Sequence, residues 1–154
     1  MIIWLTGQPG SGKTTLANEL IKKIKSDSPS IKIINLDGDD LRKINKNQDY
    51  SKEGRIQNIS TAISIMRFLS NKKYVCVVSI VAPYRFLRDE LKTEFPFLEV
   101  YLHTSEIRGR ENFFAQDYEE PIDLKHLRID TGKLTIKESL DEILNVYWKM
   151  ATLA

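Results

Sequence analysis

Apolar positions along this chain follow two rhythms. Predominantly apolar runs of strand length stand at Ile2–Thr6, 31–36, 74–81 and 98–103, with a weaker one at 126–129, the pattern of strands buried on both faces. Between them apolar residues recur at helical spacing: Leu16, Leu20 and Ile24, then Ile56, Ile59, Ile63 and Met66, and within 134–150 Leu140, Ile143, Leu144 and Tyr147. Strand and helix alternate, and no Asn-Gly hairpin signal joins two apolar runs, so the pattern predicts an α/β fold, a parallel sheet with helices on both faces. The least periodic stretches, 43–54 and 106–124, are polar and charged and are the candidate substrate-covering loops. With no repeat, low-complexity tract or Pro/Gly-rich linker, one domain over 1–154 is expected.

The first strand runs into Gly7-Gln8-Pro9-Gly10-Ser11-Gly12-Lys13-Thr14, a full match to G-x-x-x-x-G-K-[ST] between an apolar strand and an amphipathic helix. The glycines let successive main-chain N–H groups face phosphates, and the helix N-terminus adds partial positive charge. Gly7, Gly10, Ser11, Gly12, Lys13, Thr14 and Thr15 are therefore the candidate ATP-binding residues, with Lys13 bridging the β- and γ-phosphates and the Thr14 hydroxyl on Mg²⁺. A GTPase is disfavoured, because Asn45-Lys46-Asn47-Gln48-Asp49 has one residue too many for the guanine-reading Asn-Lys-x-Asp and no Asp-x-x-Gly follows a strand. The third strand ends in Ser79-Ile80-Val81-Ala82 without the usual Asp, so Mg²⁺ must find its other ligands elsewhere, in part through water. A small nucleotide or metabolite kinase fits better.

Composition narrows the partners. The 154 residues are 42% hydrophobic, and 23 Lys+Arg against 21 Asp+Glu leave a formal net charge of +2, so no broad basic field points to nucleic acid or an anionic membrane. Cys76, the single cysteine, lies in the run 74–81 and reads as a buried core residue. The apolar stretch after Met1 is too short for a signal segment or a membrane span, so a cytoplasmic setting is expected.

The acceptor side is written around Asp37-Gly38-Asp39-Asp40-Leu41-Arg42, which puts carboxylates at the carboxyl edge of the sheet, where α/β proteins bind ligands. A carboxylate there can take the proton of an attacking hydroxyl, and Arg42 can fix an anionic acceptor. Taken alone, the same segment is also an Asp N-cap opening a helix. Arg55, Asn58 and Ala62 share one helical face, turned away from the centre of the Ile56, Ile59, Ile63 stripe. An Arg in a first helical turn opposes the dipole and hints at a task beyond local stability, although read alone it is a solvated surface residue.

These pieces together resemble the adenylylsulfate (APS) kinase family, which uses ATP to phosphorylate the ribose 3′-hydroxyl of adenosine 5′-phosphosulfate. The resemblance rests on the cradle, the segment from Asp37 to Arg42, Tyr50-Ser51, Arg55 and Asn58 spaced as Arg-x-x-Asn, Ser79, Pro83-Tyr84-Arg85, Phe113 with Asp117-Tyr118-Glu119-Glu120-Pro121, and Ile129-Asp130-Thr131. It implies a five-stranded P-loop kinase fold, ATP and Mg²⁺, and commonly a homodimer. Asp39 would face the acceptor hydroxyl as catalytic partner of Lys13, and Asp37 would help organise Mg²⁺ beside Thr14. Arg42, Arg55 and Asn58 would hold the acceptor with Pro83 and Arg85, Tyr50 and Phe113 would sandwich its base, and Asp130 and Thr131 would lie near the ATP adenine. Two departures stand out: Ala82 replaces the family's serine before Pro-Tyr-Arg, and the family's long basic lid is shortened to Glu106-Ile107-Arg108-Gly109-Arg110-Glu111-Asn112. Arg108 and Arg110 remain there as candidates to neutralise phosphate charge. A 3′-hydroxyl kinase of another nucleotide-activated anion, such as cytidine diphosphoramidate in surface polysaccharide synthesis, stands as the alternative acceptor reading. A non-catalytic ATP sensor and a small-metabolite kinase of the gluconate or shikimate kind stand as alternatives of other classes.

Overall fold

The computed structural model describes residues 1–123 and 125–153. Five strands, β1 (Ile2–Thr6), β2 (Ile33–Asp37), β3 (Val75–Ser79), β4 (Phe97–His103) and β5 (Leu127–Asp130), form one sheet in the order β2-β3-β1-β4-β5. Every pairing is parallel. Among the described residues five α-helices connect and flank them: α1 (Lys13–Asp27), α2 (Gly38–Asn45), α3 (Lys52–Asn71), α4 (Arg85–Asp89) and α5 (Ile136–Leu153).

The two cores follow from side-chain alternation along the strands. From β1, Ile2 and Trp4 pack with Cys76, Val78, Leu41, Ile59, Met66 and Leu87 under α2, α3 and α4. Ile3 and Leu5 point the other way, to Leu16, Leu20, Val100, Ile129 and Ile143 beneath α1 and α5. Helices thus cover both faces, as the doubly apolar runs require, and Cys76 is a buried free thiol as expected. Among the described residues no helix is long and apolar enough to cross a membrane.

Two details differ from the sequence reading. The stretch expected to be irregular over 43–54 is narrower, because α2 runs on to Asn45 and α3 begins at Lys52. Ser51 caps α3 by accepting from the Gly54 N–H at 3.2 Å, and the left-handed Lys46 ends α2, so cap chemistry rather than apolar rhythm sets both boundaries. The second difference concerns α3 itself: Arg55, Asn58 and Ala62 lie on its buried face with Ile59, Ile63 and Met66, while Ile56 sits at the margin. The buried face passes from core to ligand cleft along the helix, so its cleft end is polar.

The chain crosses from β3 over β1 to reach β4, and the phosphate-loop sequence leaves β1 at this reversal. That is where a parallel sheet opens a crevice at its carboxyl edge.

Candidate active site

A cavity of about 410 Å³ opens above the carboxyl edge, lined at one end by Gly10, Gly12, Lys13, Thr14 and Thr15 and at the other by Arg42, Tyr50, Arg55, Asn58, Pro83 and Phe113. Asp37 and Asp39 stand in the same lining, as do Arg108 and Arg110.

The cradle is built by main-chain geometry. Gly7 has φ 144° and approaches β4 so closely that a Cβ would lie 2.1 Å from the Leu102 carbonyl oxygen, which leaves no room for a side chain. The Lys13 Nζ is turned back into its own loop, donating to the carbonyls of Gly7 at 3.0 Å and Gln8 at 2.8 Å. Only 8% of the residue is exposed, and this burial pushes the ammonium pKa down to about 7 against the opposing pull of Asp37 and Asp39. A phosphate arriving beside Lys13 would supply the counter-charge that the loop carbonyls provide only in part. Ser11 is buried, and its carbonyl accepts from the Thr131 hydroxyl at 2.8 Å. Thr131 thus adjoins the cradle from the end of β5, beside Asp130, whose carboxylate caps the Gly132 N–H at 2.9 Å.

Asp37 is both the last residue of β2 and the N-cap of α2. Its Oδ1 accepts from the Asp39 N–H at 2.9 Å, while its Oδ2 accepts from the Thr14 hydroxyl at 2.7 Å and the Ser79 hydroxyl at 2.8 Å. Ser79 is the register partner of Asp37 on β3, which places a hydroxyl where many P-loop enzymes carry a carboxylate. The Thr14 hydroxyl and the Asp37 carboxylate form an all-oxygen pair suited to a hard cation such as Mg²⁺. Asp39, in the first turn of α2, is exposed on the cleft wall, so both readings of this segment, helix cap and cleft carboxylate, hold together.

The far wall of the cavity is assembled by arginines. Arg42 donates to the Asp49 carbonyl at 2.8 Å and the Asn47 side chain at 3.1 Å, and its guanidinium lies 4.1 Å from the Tyr50 ring centre. Arg55, 8% exposed, donates through Nε to the Tyr50 carbonyl at 3.0 Å and through Nη2 to the Phe113 carbonyl at 3.2 Å. One buried guanidinium therefore holds the main chain beneath both rings. The rings touch each other, with centroids 5.9 Å apart and planes tilted by 52°, whereas a flat base between parallel rings needs about 7 Å. Asn58 is 3% exposed, and its Oδ1 has no hydrogen-bond partner among the described residues. A buried unpaired acceptor in a cleft wall is a place for a ligand donor.

The segment expected to form the lid crosses the cradle. Arg108 donates to the Gly10 carbonyl and the Thr131 hydroxyl at 3.1 Å each and to the Thr131 carbonyl at 2.9 Å. Arg110 places its guanidinium 5.3 Å from the Phe113 ring centre. Arg85 stands apart from the cleft lining: its side chain pairs with Glu119 at 3.4 Å, at the start of α4. Leu124, the last residue of the expected lid, lies outside the described residues.

Two positions that the sequence reading passed over shape this wall. Arg88, fully buried, pairs with Glu99 at 2.7 Å and donates to the carbonyls of Ala82 and Glu119, fixing the loop after β3 where Ala82 adopts φ 42°. Its signal in sequence is faint, a charged residue in a charged helix. Gln8 occupies a free position of the cradle motif, and its side chain reaches the lid.

Comparison with known proteins bears on the fold and the family. Residues 1–112 match the adenylylsulphate kinase family. A probable adenylyl-sulfate kinase of Pyrococcus abyssi is 31% identical over 163 aligned positions, covering 92% of this chain and 91% of the relative. The adenylyl-sulfate kinase of Lactiplantibacillus plantarum is 29% identical, covering 94% and 79%. The Mycobacterium tuberculosis APS kinase CysC, solved with AMPPNP and APS, superposes with a TM-score of 0.76 over 95% of this chain and 96% of that one, and at 21% identity it speaks for the fold. With the family matched over most of its length, the chain belongs to the adenylylsulphate kinase family.

Proposed function

We propose that the protein transfers the γ-phosphoryl group of ATP to the ribose 3′-hydroxyl of adenosine 5′-phosphosulfate. The observation that carries this reading is one cleft with a phosphate cradle at one end and, at the other, two aromatic rings above a buried arginine and an unpaired asparagine oxygen. A sugar or shikimate acceptor has no use for a pair of rings, whereas a nucleotide base stacks on them. A sensor that only binds ATP has no use for the second end at all.

In the reaction Asp39 accepts the proton of the 3′-hydroxyl as its oxygen forms the new bond to the γ-phosphorus. The bond from that phosphorus to the β–γ bridging oxygen breaks, and ADP leaves. Lys13, recharged beside the phosphates, and Arg110 on the cleft wall offset the charge that spreads over the transferring group. Thr14 and Asp37 would hold Mg²⁺, which supplies further neutralisation of phosphate charge. Arg42 and Arg55 orient the phosphate-sulfate end of the acceptor, and Asp130 and Thr131 border the adenine of ATP. A homodimer, which the family resemblance implies, and the cytoplasmic setting expected from the short apolar stretch after Met1 complete the reading.

The test is turnover of ATP with adenosine 5′-phosphosulfate, with the new phosphate located by phosphorus NMR. A 3′-phosphorylated product is expected, and a 3′-deoxy acceptor should give none. Equal ATP consumption with the 3′-deoxy compound would reject the proposal.

A further inference from the structure

Gln8 is one of the four residues between the first and second fixed glycines of the cradle motif, where the motif sets no requirement. Its carbonyl belongs to the cradle, because it accepts from Lys13 Nζ at 2.8 Å. Its side chain goes elsewhere. Nε2 donates to the Ala115 carbonyl at 2.8 Å, and Oε1 accepts from the Ala115 N–H at 2.9 Å. A primary amide can close such a two-way pair with the N–H and C=O of a single residue, since it carries a donor and an acceptor side by side at neutral pH. Ala115 is buried at 4% exposure, so the clasp is sheltered on the lid side.

Ala115 lies two residues beyond Phe113, whose carbonyl is held by Arg55 and whose ring faces Tyr50. At the other end of the lid Arg108 is bound to the Gly10 carbonyl and to Thr131. The short lid is therefore fastened at both ends to the ATP side, and its far end carries one wall of the acceptor slot. Gln8, one of the two residues whose carbonyls Lys13 grips, is joined through its side chain to the segment that bears Phe113.

We propose that Gln8 is a positioning residue that couples the two substrate sites. Phosphates of ATP draw Lys13 Nζ away from the Gly7 and Gln8 carbonyls. The released main chain of Gln8 settles around the phosphates, and the amide clasp passes that shift to Ala115 and the Phe113 wall. Phe113 and Tyr50 then separate toward the spacing that a base requires. Coupling between two ligands is reciprocal, so each substrate tightens the binding of the other by the same factor. The assignment of the acceptor rests on the function proposed above, while the coupling itself does not depend on which nucleotide fills the slot.

The test has two arms, each applied to the wild type, Gln8→Leu and Gln8→Glu, with thermal melts to establish that all three are folded. Gln8→Glu keeps length and shape and still accepts from the Ala115 N–H, but it meets the Ala115 carbonyl with an oxygen where the amide had a donor. In the first arm calorimetry measures adenosine 5′-phosphosulfate binding with and without a non-hydrolysable ATP analogue. The wild type should bind the acceptor about tenfold tighter with the analogue present, the value of two neutral hydrogen bonds, and both variants should show less than about a twofold difference. A uniform loss of affinity with the tenfold ratio intact would overturn the proposal. In the second arm amide hydrogen exchange is followed over 108–118 with the analogue alone. Exchange at Ala115 should slow on analogue binding in the wild type and stay unchanged in both variants. Equal slowing in all three would overturn the coupling even if the acceptor proved to be a different nucleotide, and failure of the first arm for want of any acceptor binding would count against the acceptor assignment while the second still decides on Gln8.

Discussion

The phosphate cradle takes its parts from consecutive residues, Gly7 to Thr15, whereas the acceptor wall gathers Arg42, Tyr50, Arg55, Asn58, Pro83 and Phe113 from separate elements. In the cradle the working groups are main-chain N–H donors and one lysine, so the local sequence nearly specifies the geometry. In the wall the working surfaces are side chains, and their places depend on arginine-to-carbonyl bonds between distant segments, Arg55 to Phe113 above all. The two ends of one cleft therefore have different tolerances. A change in the lid that leaves the Gln8–Ala115 and Arg108–Gly10 bonds in place can reshape the acceptor slot while the cradle motif stays the same.

Substitutions that act on one end and spare the other sharpen this contrast. The largest effect is expected for Lys13→Ala, a loss of about 10³- to 10⁵-fold in kcat/KM, as for other cations that neutralise a transferring phosphoryl group. Its melting temperature should stay close to that of the wild type, because the buried ammonium is held at a cost in the free protein; a collapse of folding together with activity would blur the distinction between cradle and core. Asp39→Asn should lower kcat by about 10²- to 10⁴-fold with little change in ATP affinity. Loss of ATP binding with acceptor binding intact would move Asp39 to the metal side and exchange its role with Asp37. Arg55→Ala should raise the acceptor KM by about 2 kcal/mol, roughly thirtyfold, and leave the ATP KM within about threefold. Equal effects on both substrates would show that the ends are not separable.

The smallest effect is a proton. With the folded pKa of Lys13 lowered from 10.5 to about 7, the unfolded chain holds a proton that the folded chain releases between those values. Stability contributed by this residue therefore rises with pH through the window, and the full penalty is felt below it. ATP, by restoring the ammonium, should take up about one proton per molecule bound near pH 8.5 and almost none at pH 6. Calorimetry in buffers of different ionisation enthalpy measures that uptake, and the same count at both pH values would remove Lys13 as its source.

Much of the fold was legible because each strand is a mostly apolar run and each main helix an apolar stripe; β1 falls on the same residues that the pattern marks. The cradle was legible because its chemistry is local. Where the reading slipped, a long-range partner decides the outcome. Apolar spacing turns Arg55 away from the centre of the Ile56, Ile59, Ile63 stripe, yet it is buried at the cleft end of α3, since Tyr50 and Phe113 supply the carbonyls that satisfy it. Loop 43–54 looked irregular because caps at Lys46 and Ser51 carry no apolar rhythm. Arg85, grouped by resemblance with the acceptor residues, is paired with Glu119 outside the cleft lining, a contact across 34 positions that no local pattern encodes. Gln8 was invisible for the same reason: its partner, Ala115, is a main-chain unit 107 positions away.

The most direct measurement of the central claim is acceptor-dependent phosphoryl transfer under competition, with ATP and Mg²⁺ offered together with adenosine 5′-phosphosulfate and a cytidine diphosphate-linked anion. Because a short lid shields less of the cleft from water, a slow ATP hydrolysis without acceptor is expected as background. The adenylyl compound should convert that hydrolysis into stoichiometric 3′-phosphorylation, with the cytidine compound left unmodified. Transfer to the cytidine compound alone, or ATP hydrolysis that neither compound alters, would contradict the assignment of adenosine 5′-phosphosulfate to the slot between Tyr50 and Phe113.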